Sequence, residues 1–87
     1  MFKTPFQTTT RDCNSAAVIK AAGFHVEVRR QPAGRRALFD FEDNQKTRDL
    51  VDRYERREPL DIPAKTLLQA RTELYHQARR VCMGGEL

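Results

Sequence analysis

Two runs that alternate apolar and polar side chains, Phe24-His25-Val26-Glu27-Val28 and Ala37-Leu38-Phe39-Asp40-Phe41, flank an arginine-bracketed turn. The turn reads Arg29-Arg30-Gln31-Pro32-Ala33-Gly34-Arg35-Arg36. Alternation with period two buries one side of a strand and wets the other, so the stretch reads as a β-hairpin. With Val28 set opposite Ala37, Val26 meets Phe39 and Phe24 meets Phe41. All six side chains then share one face, whereas a slip of one residue scatters them. The same register stacks Arg30 on Arg35 and Arg29 on Arg36, like-charged pairs that are mildly destabilising. Pro32 in the second position and Gly34 in the fourth suit a type I turn over Gln31–Gly34.

The elements around the hairpin follow from caps and periodicity. Residues 2–9 are rich in Thr and Phe, and suggest a short first strand near Phe6–Thr8. Thr9 and Asp12 have capping-box spacing ahead of the small-residue run Cys13 to Ala22, and Gly23 sits where a helix stop belongs. Glu42-Asp43-Asn44 is an acidic start for a second helix over residues 45–57, with Thr47, Leu50, Val51 and Tyr54 on its buried stripe. After Pro59, Pro63 opens a third helix in which Leu67, Leu68, Arg71, Leu74, Tyr75, Ala78 and Val81 recur at helical spacing. The expected fold is a small two-layer α+β domain of order β-α-β-β-α-α. Its mostly antiparallel three-stranded sheet is packed on one face by three helices. Eighty-seven residues suit a single domain. It is taken as residues 1–82, with 83–87 as a disordered tail.

Composition narrows the function classes. The net charge is +4, and twelve of the sixteen cationic side chains are arginine, a residue suited to bidentate contact with phosphate or carboxylate. Within residues 24–43, however, Arg29, Arg30, Arg35 and Arg36 are balanced by Glu27, Asp40, Glu42 and Asp43. No run is long and apolar enough for a membrane span, so no membrane partner is expected. No apolar segment follows Met1-Phe2-Lys3-Thr4-Pro5, and the two cysteines are far apart in sequence. The expectation is a cytoplasmic chain with free thiols.

Assembled, the pattern resembles the domain of unknown function 5659 family of bacteria and phages. The residues that carry the likeness are Thr10-x-Asp12 leading to Ala16, then Gly23, the arginine-rich hairpin, Phe39-x-Phe41-x-Asp43, Leu50-Val51, Tyr54, and the proline-started helix with Leu67-Leu68. The likeness covers roughly residues 6–80, and most of these positions are core and cap positions that specify a fold. It implies a bacterial or mobile-element setting and carries no activity with it.

The candidate binding site is the arginine tip, with Arg29, Arg30, Arg35 and Arg36 gripping an anion, a nucleic acid or an acidic partner. The plainer reading is a solvated hairpin end kept from sheet-to-sheet association by its charge. Arg53, Arg56 and Arg57 form a secondary basic patch, although Asp49, Asp52 and Glu55 supply partners that make it read as a solvated helix face. Arg79 and Arg80 close the third helix in the same way. Cys13, His25, His76 and Cys82 lack the spacing of a zinc site, so no metal is expected. A phosphate loop, a nucleophile elbow and an HExxH motif are all missing, so the chain reads as a non-enzyme with no cofactor. His25 and Asp40 are expected as cross-strand neighbours. Leu38 falls on the outer face as a contact point. The reading favours a protein partner or self-association, a homodimer included, with a nucleic-acid accessory role for the arginine hairpin as the alternative.

Overall fold

The alternation does build a hairpin. In a computed structural model that describes residues 7–32, 34 and 36–84, the elements are β1 (Gln7–Thr10), α1 (Cys13–Ala21), β2 (Val26–Arg30), β3 (Ala37–Glu42), α2 (Gln45–Glu55) and α3 (Ala64–Gly84). The sheet order is β1-β3-β2, antiparallel throughout. This is the α+β order expected from the sequence. Phe6, expected in the first strand, lies outside the described residues. Helix α3 extends to Gly84, past the expected start of the tail at residue 83, and residues 85–87 lie outside the described residues.

Strand parity is as expected, but the register is not. Val26 faces Phe41, Val28 faces Phe39 and Arg30 faces Ala37, a shift of two residues from the expected pairing. A two-residue shift leaves every side chain on its own face, so the apolar side of the hairpin still points inward. The turn fits the shift. Gly34 donates its N–H to the carbonyl of Gln31 at 3.3 Å, and Gln31 donates to the carbonyl of Arg36 at 2.8 Å. The expected register closes either the four residues Gln31–Gly34 or their central pair, and a loop of the central pair alone demands positive φ values that Pro32 cannot adopt. The turn over Gln31–Gly34 forms, and the Gln31–Arg36 pair closes it. Arg29 consequently faces Leu38 and Arg30 faces Ala37, so the like-charged stacking does not occur among the described arginines.

Helix α1 sits at the centre of the helical layer, against α2, α3 and the sheet. Its Ala16, Ala17, Val18 and Ile19 are buried. Small side chains let the backbone approach the sheet closely, where Ile19 joins Val26, Phe39, Phe41, Ala70 and Leu74 in one core. The helix starts at Asp12, which accepts from the N–H of Asn14 and the hydroxyl of Ser15. Thr9 is therefore not the cap; it is drawn into β1 opposite Asp40. The stop is at Gly23 as expected, with φ +104° and the bonds Gly23 N–H to Lys20 and Phe24 N–H to Ile19 that close a Schellman motif.

Helix α2 is capped reciprocally by Asn44 and Thr47. Thr47 is fully buried, and its hydroxyl donates to the carbonyl of Glu42 at 2.8 Å, tying the helix start to the end of β3. The helix ends two residues early, because Arg57 adopts φ +61° and Glu58 donates back to Arg53. Helix α3 buries Ala70 and Leu74 and packs Leu67 and Ala78 beside them. Leu68, Arg71 and Tyr75, expected on the same stripe, are exposed. The stripe that faces the sheet and α1 is narrower than the run of apolar residues on this helix.

Two substitutions test these points. Thr47→Val keeps the volume but strands the Glu42 carbonyl, and should cost about 1–3 kcal/mol in urea unfolding. A Cβ at Gly23 meets nothing within 4 Å, so Gly23→Ala should cost only its backbone strain, about 1–2 kcal/mol.

Candidate functional site

The outer face of the sheet carries the polar halves of the strands: Gln7 and Thr9 from β1, Glu27 and Arg29 from β2, and Leu38, Asp40 and Glu42 from β3. Asp40 lies on the central strand and organises this face. Arg29 Nε donates to Asp40 Oδ2 at 2.5 Å, and the Thr9 hydroxyl donates to Asp40 Oδ1 at 2.5 Å. One carboxylate thus ties all three strands together. Partial burial pushes the Asp40 carboxyl up, but the hydrogen bonds from Arg29 and Thr9 and the guanidinium charge outweigh it. They hold the group below the usual carboxylate range. The same hydrogen bond raises the pKa of Arg29.

The arginine tip therefore divides. Arg29 is held by Asp40. Arg30, on the helix-facing side, donates to the carbonyl of Gly34 at 3.3 Å. Arg36 is exposed, and its side chain makes no hydrogen bond among the described residues. Arg35 lies outside the described residues. The tip does not present four equivalent cations.

The secondary patch is internally neutralised. Arg53 pairs with Asp49 at 3.3 Å, and Arg56 pairs with Asp52 and Glu58. Arg57 forms the helix stop instead of extending the row. Arg48 binds Asp43 at 2.8 Å, a contact that lowers the pKa of that carboxyl. His25 does not face Asp40, because the two-residue shift puts Glu27 there; His25 lies 3.4 Å from Glu27 on its own side of the hairpin. Leu38 does fall on the outer face, half-buried and opposite Arg29.

Two clefts flank the sheet. One, of about 350 Å³, lies between β1 and α2 and is lined by hydroxyls of Thr8, Thr10, Ser15 and Thr47 together with Asp43 and Arg48. Most of its polar groups already bond within the chain: Thr10 accepts from the Asp12 N–H, Ser15 donates to Asp12, and Arg48 holds Asp43. The other, of about 340 Å³, lies between β2 and α3 and is lined by His25, Val26, Val28, Gln77, Arg80 and Val81. Burial pushes the Cys13 thiol up, against the opposing charge of Arg71, which keeps it protonated and a poor nucleophile. Among the described residues, no group of three or more His, Cys, Asp or Glu is placed to hold a metal ion. No helix among them is long and apolar enough to cross a membrane.

No family model matches the chain, and neither a curated protein nor a solved structure matches it. The family resemblance stays an expectation resting on the residues quoted for it.

An exposed sheet edge is expected of a first strand paired beside the hairpin; the strand order puts β2 at an edge that is open among the described residues. A second feature of this surface is not legible in the sequence. Leu68 and Tyr75 are exposed, at 62% and 54%. They stand seven positions apart and so fall on one side of α3.

The Asp40 network has a defined pH signature. Its folded-state pKa lies below the unfolded value, so its contribution is complete above about pH 4 and is lost as the pH falls through the folded value. Asp40→Asn should cost about 0.5–1.5 kcal/mol at neutral pH and flatten the acid limb of the stability curve, measured by urea unfolding across pH.

Proposed function

We propose that this chain is a small non-enzymatic binding module that works through protein–protein contacts, self-association included, in a bacterial or mobile-element setting. The observation that carries this reading is the open edge of β2, bordered by charges of both signs. An edge strand offers unpaired main-chain donors and acceptors, the recognition chemistry of another strand. Glu27, Asp40 and Glu42 share its outer face with Arg29, an arrangement that suits a protein surface of mixed charge better than a polyanion. The pairing of Arg29, Arg53 and Arg56 with carboxylates of the chain itself points the same way.

One observation favours a nucleic-acid accessory role as the second reading: Arg30 and Arg36 are exposed at the end of the hairpin on a chain of net charge +4. The two readings separate by titration against labelled duplex and single-stranded DNA and RNA at low salt. The protein reading expects no binding tighter than about 100 μM. It also expects capture of a stoichiometric protein partner, a second copy included, from cells that express the chain. Micromolar nucleic-acid binding that is lost in the Arg30→Ala, Arg36→Ala double variant, with a shallower salt dependence, would replace it with the second reading.

A further inference from the structure

We infer that the occupant of the β2 edge is the β2 edge of a second copy, paired antiparallel about a two-fold axis through Val28; this rests on the protein-binding reading and names its partner. The hydrogen-bond alternation sets the geometry. Gln31 donates to the carbonyl of Arg36, so that pair is of the hydrogen-bonded type. By alternation, Arg29 with Leu38 and Glu27 with Asp40 are of the same type. Residues 27, 29 and 31 thus direct their main-chain groups to β3. Val26, Val28 and Arg30 direct theirs to the open edge.

A strand that pairs with its own copy about an axis normal to the sheet must place that axis on a residue, because facing side chains lie on the same side. The sequence Val26-Glu27-Val28-Arg29-Arg30 then discriminates among the choices. An axis on Glu27 sets Glu27 against itself. An axis on Arg29 or Arg30 sets an arginine against itself. An axis on Val26 leaves half of the strand unpaired. An axis on Val28 uses the whole strand. It sets Val28 against Val28 and Val26 against Arg30 through the outward main-chain groups. On the outer face, Glu27 meets Arg29 of the second copy on both sides of the axis.

Charge complementarity therefore selects one register. Glu27 is available for it, since its side chain is 70% exposed and its only ion-pair partner among the described residues is His25. Arg29 is available too: its side chain is 47% exposed, so it can lie between its own Asp40 and Glu27 of the second copy. Val28 and Val81, half-buried along the cleft beside this edge, gain apolar contact across the axis. The two three-stranded sheets become one continuous sheet with the helices on the same side. A second copy also enlarges the buried core of a chain small enough to profit from it.

Sedimentation and light scattering over a dilution series up to millimolar concentration, with amide hydrogen exchange at Val28, test the pairing. The expected result is a monomer–dimer equilibrium in which the Val28 amide becomes protected as the dimer forms. Glu27→Arg sets a second guanidinium against Arg29 on both sides of the axis, and should weaken the dimer roughly tenfold or more without changing the fold seen by circular dichroism. A chain that stays monomeric, a dimer indifferent to E27R, or a dimer with an unprotected Val28 amide would each overturn the inference. A monomer that captures a different protein overturns self-pairing and leaves the protein-binding reading standing. A monomer that binds nucleic acid instead overturns both.

Discussion

Every element of this domain is positioned by the burial of one short helix. Ser15 to Ile19 of α1 is shut off from solvent, with the sheet on one side and α2 and α3 on others. A segment enclosed in this way has no room for polar chains unless they bond locally. Ser15 meets the condition by donating to the Asp12 cap at 2.8 Å. The alanines keep the separations short, so the hairpin aromatics Phe39 and Phe41 share one core with Ile19 and Leu74. In so small a core, each of these contacts is a sizeable share of the marginal stability of the domain.

The inner face has consequences for the outer one. With the helices all on one side, the polar halves of the three strands form an open surface, and β3 at the centre carries the residue that joins its neighbours. Asp40 accepts from one side chain of each edge strand, Thr9 of β1 and Arg29 of β2. This turns the most conspicuous cluster in the sequence into something different. The arginine tip is in part a structural device, with Arg29 serving the sheet and Arg30 bound to the loop carbonyl of Gly34. The proposed binding surface is therefore the strand edge beside the tip, where outward main-chain groups, a cleft of mixed polar and apolar lining and alternating charges coincide.

Much of the architecture is legible in the residues. Period-two alternation marks the hairpin, Gly23 marks the end of α1, and Asn44 with its acidic neighbours marks the start of α2. These signals act over a few residues and depend little on what packs later. The stripe of α3 is narrower than its apolar spacing implies, because Leu67 and Leu68 are equally apolar and only the position of α1 and the sheet decides which of them is covered. The i,i+4 pairing of Arg53 and Arg56 with acids is legible for the same local reason, and it removes that patch as a free basic surface.

The two-residue shift of the hairpin shows where local information stops. Alternation determined which side chains point inward, and it is blind to a shift by two because the pleat repeats with that period. The proline in the turn narrows the choice, since a ring-locked φ excludes the tight two-residue loop, but a four-residue loop fits either register. The partner of Arg29 was a different matter. Asp40 lies eleven residues away and Thr9 thirty-one from Asp40, and their meeting required the strand order β1-β3-β2. Strand order is set by how α1 crosses the sheet and fills the space beneath it. The faces of the strands were therefore written in the chain as a local pattern, while the register, the open edge and the pairing of charges came from long-range packing.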